Sequence, residues 1–206
     1  MITILKYFLA ILLAYVIGSS SMSYYLSKIN KVDLRSKGSK NLGASNAMIL
    51  MGWKAGVLVG IHDIGKSALA VILANALFPN LPYIGVIAGV ASVLGHIFPF
   101  YLRFKGGKGF ASFIGMALAL NWKFTLILLV VLVLVTLITD YIVVGTVTII
   151  TSFPIYMGFD SRGYITPLIL LIATAVIIYK HRENFVRIYK GTEIGFRSAN
   201  RGEHRS

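Results

Sequence analysis

The stretch ITILKYFLAILLAYVIGSSSMSYYL (residues 2–26) carries a single charge, Lys6. About 20 apolar residues in a helix cross the hydrocarbon core of a bilayer, and this run reaches that length. It lacks the make-up of a cleaved leader: no small-residue cleavage site follows it, and most of its nearby basic residues come after the apolar run rather than before. Further apolar runs occupy residues 55–78, 82–102, 109–120, 124–138, 141–158 and 164–179. That makes seven, of which 109–120 is short for a span and reads as a half-helix buried inside the bundle. The sequence therefore predicts an all-α, polytopic membrane helix bundle of about seven transmembrane segments. It predicts one membrane domain over residues 1–196 and a basic, disordered tail over 197–206.

Composition agrees. Hydrophobic residues make up 57% of the 206 and charged residues 13%; mean hydropathy is +0.79. A soluble domain carries about 25% charged residues. A chain this apolar lacks the polar surface to cover a small soluble core. An ordinary soluble enzyme and a disordered chain are excluded, and the absence of Cys excludes a disulfide scaffold.

The net charge of +13 is accounted for by topology. Sixteen of the twenty Lys and Arg lie in residues 28–54, 103–108 and 180–206. With seven spans these stretches share one side, facing Lys6, Lys123 and Arg162 on the other. This positive-inside asymmetry places the N-terminus outside and the C-terminus in the cytoplasm. The basic side then meets the anionic inner leaflet, and nucleic acid is not required.

The unusual polar chemistry gathers on that basic side. VDLRSKGSKNLGASNAM (32–48) is dense in Gly, Ser and Asn, with Arg35 and two lysines. Such a loop suits a phosphate cradle of backbone amides; it equally suits a solvated loop touching lipid headgroups. FKGGKGFAS (104–112) puts lysines on both sides of two glycines, with a helix predicted after Gly109. That favours an anion site at a helix N-terminus over a flexible basic turn. It lacks the G-x-x-x-x-G-K-[ST] spacing of a nucleotide loop, so ATP is not implied. His96, at the membrane end of a span, reads first as a structural group. Asp63 and Lys66, at i and i+3 inside an apolar run, read as a bundle-buried pair. His181 and Asn184 share one helical face if the last span continues into a basic juxtamembrane helix. With no Cys, no H-E-x-x-H and no carboxylate cluster, no metal site is expected.

Several stretches together resemble one family. They are GSSSMSYYLSK (18–28), the loop from Asp33 to Asn46, HDIGK (62–66), GHIFPFYLRFKGGKGFAS (95–112) and the tail from His181 to Glu193. In order and spacing they are similar to the bacterial membrane acyltransferases that transfer an acyl group from acyl-phosphate to glycerol-3-phosphate. The resemblance implies lysophosphatidate and phosphate as products, no cofactor, a monomeric enzyme, and a multi-pass location in the bacterial cytoplasmic membrane with the site facing the cytoplasm. It implies Ser39, Lys108, His181 and Asn184 as catalytic groups. Arg35, Asn41, Gly43, Ser45, Asn46, Lys105, Gly106, Gly107 and Gly109 would bind substrate phosphate. Asp63, Lys66, His96 and Glu193 would be structural. The chain departs from the family pattern at Ile49 and Asp140, where Arg is usual, and at Ser21 and Ser67, where Pro and Gly are usual. These departures keep a paralogue with altered or lost activity open, beside a small organic-phosphate transporter.

Overall fold

The computed structural model describes residues 1–160 and 163–197. Arg162 and nearly all of the tail expected to be disordered therefore lie outside the described residues. Nine α-helices and one 3-10 turn make up the regular structure there, with no strand. They are α1 (Ile2–Ser19), α2 (Met22–Ile29), α3 (Ala44–Met51), α4 (Trp53–Leu77), α5 (Ile84–Ile97), α6 (Phe110–Thr139), α7 (Ile142–Phe159), α8 (Ile165–Lys180) and α9 (Arg182–Tyr189); the 3-10 turn covers Phe100–Leu102.

Five helical stretches are long and apolar enough to cross a membrane, or six if the bent pair α8–α9 counts as one span. The seven apolar runs of the sequence map onto these helices. Runs 109–120 and 124–138 are the two halves of α6, which breaks at Asn121, whose backbone is extended (φ −154°, ψ 87°). Asn121 Oδ1 accepts the Phe124 N–H at 3.1 Å, as a capping residue does at a helix start. A twelve-residue run beside a longer one, with a capping residue between them, reads in sequence as two segments.

The chain forms two compact units, residues 1–120 and 121–206. In the first, α1, α4 and α5 pack on one another. Ala10, Ala14, Ala70, Ala74, Ile84, Ala88 and Ala91 fill their contact. Small side chains let helices approach closely where no hydrophobic effect drives them together. A Cβ at Gly18 would overlap the Ser92 carbonyl, one at Gly95 the Tyr15 carbonyl, and one at Gly115 the Ile64 carbonyl. Outside this contact α1 exposes Ile4, Phe8, Leu12 and Val16, the surface a lipid solvent accepts.

In the second unit α7 packs on α8. Thr174 Oγ1 donates to the Ile150 carbonyl at 2.8 Å between them. Phe124 stacks on Tyr156 with ring centroids 3.7 Å apart.

A side chain at Gly18 must push α1 away from α5. Gly18→Leu is expected to cost more than ~2 kcal/mol through overpacking. Thermal unfolding in detergent should show a fall of several degrees, and an unchanged midpoint would contradict this packing.

Candidate functional site

The GSSS stretch separates α1 from α2. Ser19 Oγ returns to the Tyr15 carbonyl, and Ser21 Oγ caps α2 by accepting the Tyr24 N–H. The Ser20 carbonyl is thereby left for a partner from another helix, and that partner is Lys66.

Lys66, 6% exposed, sits among apolar helices. Its ammonium donates to Ser20 O at 2.6 Å, Asp63 Oδ1 at 2.7 Å and His96 Nδ1 at 2.9 Å. An ammonium has three protons and no lone pair, so all three are used. His96 Nδ1 must then be the accepting nitrogen, and the neutral ring carries its proton on Nε2. His62 completes the group, with Nδ1 3.4 Å from Asp63 Oδ1 and Nε2 3.1 Å from Ser20 Oγ. One charge pair thus joins the α1–α2 break, α4 and the end of α5.

The glycine loop hangs from the same end of α5. Arg103 and Phe104 both take positive φ, reversing the chain after the 3-10 turn. Gly106 N–H donates to Ile97 O at 3.0 Å, and Gly107 N–H donates to His96 O at 3.2 Å. Expected to lend their amides to phosphate, these two glycines spend them on α5 instead. They are glycines because there is no room: a Cβ at Gly106 would overlap the His96 carbonyl, and one at Gly107 would overlap His96 Nε2. Gly109, with φ of +96°, leads into α6.

The first loop is locked from within. Asn46, 1% exposed, shares its two Nδ2 protons among Leu34 O (2.8 Å), Asn41 O (3.1 Å) and Lys37 O (3.2 Å). Its Oδ1 accepts the Ser39 N–H at 2.9 Å. Asn46 is thus the clamp of the loop. Gly38, at φ +58°, passes so close that a Cβ would overlap Asn46 Oδ1. Leu34 and Leu42 anchor the two ends in a core with Ala47, Val59 and Leu102. Between the anchors Arg35, Lys37, Ser39 and Lys40 are exposed. Arg35 N–H donates to Asp33 Oδ1 at 3.0 Å, which holds the Asp33 carboxyl below its ordinary range.

Gly43 precedes α3, and its carbonyl accepts the Ala47 N–H at 3.1 Å. Ser45 and Ile49, one turn apart on α3, are both exposed. The two basic loops adjoin: a Cβ at Gly107 would sit 3.0 Å from the Leu42 carbonyl. Leu102 of the second loop shares its core with Leu34 and Leu42 of the first.

The remaining expected residues belong to the second unit. His181, 7% exposed, ends α8 with Nδ1 2.9 Å from Ile177 O. A carbonyl only accepts, so Nδ1 carries a proton. Asn184, 8% exposed, donates through Nδ2 to Glu193 Oε1 at 2.5 Å. Arg187 Nε meets Glu193 Oε2 at 2.5 Å. Glu193 folds the tail back over α9.

Ser20, His62, Gly38 and Arg187 were not singled out from sequence. His62 adjoins Asp63, and a second ionisable group there was the available cue. Nothing in residue type marks a serine carbonyl as an ammonium's acceptor. Among the described residues no group of three His, Cys, Asp or Glu side chains could hold a metal ion.

Comparison with known proteins adds the following. The family model described as "Glycerol-3-phosphate acyltransferase" matches residues 8–191. The chain is 36% identical over 190 residues to "Glycerol-3-phosphate acyltransferase 1" of Oceanobacillus iheyensis, covering 88% of this chain and 91% of that one. It is 37% identical over 197 residues to a glycerol-3-phosphate acyltransferase of Clostridioides difficile, covering 92% and 95%. Among solved structures it is similar to PlsY (YgiH), an integral membrane glycerol 3-phosphate acyltransferase, in its glycerol 3-phosphate form. There the TM-score is 0.88 at 31% identity, over 94% of this chain and 97% of that one. The lysophosphatidic acid form of PlsY aligns with a TM-score of 0.83 at 30% identity, over 92% and 94%.

Asn46→Ala leaves three loop carbonyls and the Ser39 N–H without their partner. Each buried group left unsatisfied costs about 1–3 kcal/mol, less where water reaches it. The variant should unfold at lower temperature and exchange the Ser39 amide faster with deuterium; wild-type exchange at Ser39 would contradict the clamp.

Proposed function

The chain belongs to the glycerol-3-phosphate acyltransferase family, and on that premise we propose that its donor is an acyl-phosphate and its product lysophosphatidate. It is an integral membrane acyltransferase. The observation that carries the finer reading is the adjoining pair of internally locked basic loops, one presenting Arg35, Lys37, Ser39 and Lys40, the other Lys105 and Lys108. Donor and acceptor each bring a phosphate, and two basic loops answer two anions.

An acyl-phosphate is a mixed anhydride with phosphate as its leaving group. The site must align a hydroxyl with the acyl carbon and hold the charge that builds on the leaving phosphate. The 1-hydroxyl oxygen of glycerol-3-phosphate attacks the acyl carbon, and the bond from that carbon to the phosphate oxygen breaks with its electron pair going to phosphate. The hydroxyl proton goes either to His181 acting as general base or to the departing phosphate, with His181 then orienting substrate. Ser39 donates to the donor phosphate, and Lys105 and Lys108 neutralise the leaving group. Asn184 contacts substrate, while Asn41, Gly43, Ser45 and Gly109 shape the phosphate site. No acyl-enzyme is formed.

The proposed enzyme is a monomer with one catalytic domain over residues 1–196. It lies in the bacterial cytoplasmic membrane with seven segments, the two halves of α6 counted separately, and its N-terminus outside. The sixteen basic residues on one side support this orientation. It carries both basic loops and the tail to the cytoplasm, where glycerol-3-phosphate is a soluble metabolite and the product enters the inner leaflet.

Ile49, 52% exposed on α3 beside Ser45, occupies a position where a cation would aid phosphate binding. With palmitoyl-phosphate and glycerol-3-phosphate, Ser39→Ala should lower kcat by ~10²-fold, the size expected for loss of a hydrogen bond made in the transition state. Ile49→Arg should lower the KM for palmitoyl-phosphate several-fold. Full activity in Ser39→Ala would place the site elsewhere.

A further inference from the structure

The end of α6 holds the tail. Asp140 follows Thr139 with a left-handed backbone, φ +68°. Its carbonyl accepts the Phe196 N–H at 2.8 Å, and its Oδ1 accepts the Arg197 N–H at 2.8 Å. Arg197 Nη2 donates to the Leu137 carbonyl at 2.5 Å, covering one of the acceptors that a helix leaves open at its C-terminus. Gly195 is buried against the same carboxylate, and a Cβ there would overlap Asp140 Oδ2. Three hydrogen bonds and one close approach therefore fasten residues 195–197 to α6.

Two residues earlier stands Glu193, whose oxygens take Asn184 Nδ2 and Arg187 Nε at 2.5 Å each. The Glu193 N–H donates to the Arg187 carbonyl at 3.2 Å, and the Asn184 N–H donates to the His181 carbonyl at 2.9 Å. Covalent and hydrogen bonds thus run without a gap from Asp140 through Glu193 to Asn184 and His181.

We propose that Asp140 is a positioning residue for the His181–Asn184 pair: by clasping residues 195–197 to the end of α6 it fixes Glu193, and Glu193 fixes the Asn184 amide. The proposal rests on the reading above that His181 and Asn184 act on substrate. Its physical basis is entropy. Glu193 lies on a segment without regular structure, and tethering both sides of it removes the freedom that would otherwise spread the Asn184 amide over many orientations. A small misplacement of a group acting in the transition state costs rate rather than affinity. The carboxylate is used as an acceptor of a backbone N–H, so an amide oxygen at the same place does the same work.

The test uses the full-length purified protein with palmitoyl-phosphate and glycerol-3-phosphate. Asp140→Ala should lower kcat by about tenfold while both KM values stay within about twofold. Asp140→Asn, which keeps the Oδ1 acceptor, should retain wild-type kcat. Gly195→Ala, which presses a methyl on Asp140 Oδ2, should lose kcat likewise, and Asp140→Ala/Gly195→Ala should be no worse than Asp140→Ala alone. Hydrogen exchange gives a readout free of turnover: amides of residues 184–193 should exchange faster in Asp140→Ala. Wild-type kcat in Asp140→Ala, equal loss in Asp140→Ala and Asp140→Asn, or unchanged exchange would each overturn the proposal. A wild-type protein without turnover would instead overturn the reading it rests on, and exchange alone would then decide whether the clasp exists.

Discussion

A lysine ammonium buried among apolar helices has to place three protons, and the first unit is arranged around how Lys66 does so. Leaving even one proton unpaired in that setting would be costly, and a lone charge more so. The acceptors come from three places: the Ser20 carbonyl where α1 breaks, Asp63 one turn back on α4, and His96 at the end of α5. None can shift without stranding the charge. The consequence reaches beyond the bundle, because the carbonyls of His96 and Ile97 are the acceptors on which Gly107 and Gly106 hang. The buried pair is thereby tied, through His96, to the backbone of a basic loop.

The first loop follows the same logic with neutral groups. Asn46 turns both faces of its amide inward, takes three carbonyls and one N–H, and so spends the polar backbone of the loop on itself. Leu34 and Leu42 hold the ends in the core they share with Leu102. What remains outward are side chains: a serine, an arginine and lysines. The loop therefore presents charge and hydroxyl groups at its surface.

Much of the architecture can be read from the residues, and the gaps have physical causes. Run lengths mark the helices because bilayer thickness sets a length scale. They also mark the break at Asn121, where one polar residue interrupts α6 and caps its second half. The i, i+3 spacing of Asp63 and Lys66 is enough to read a pair, since helix geometry is local. Ser20 and His96 as further partners are tertiary facts and leave no trace in spacing. The glycines of residues 106–107 are legible as a special backbone, yet composition cannot tell a glycine that opens its amide to a ligand from one that must fit beneath a histidine. Asp140 reads in sequence only as a reversed charge. In the fold it is an acceptor for the tail, with Arg197 supplying the cation at the end of α6.

The account comes down to one chemical claim, that the acyl group arrives on phosphate. The direct measurement offers purified wild-type protein equal concentrations of palmitoyl-phosphate and palmitoyl-coenzyme A, with the two palmitoyl groups carrying different isotopes, together with glycerol-3-phosphate. Mass analysis of the lysophosphatidate then identifies the donor. The account predicts product carrying only the label from palmitoyl-phosphate, with one inorganic phosphate released for each product molecule. Product carrying the thioester label, or lysophosphatidate formed without release of phosphate, would contradict it.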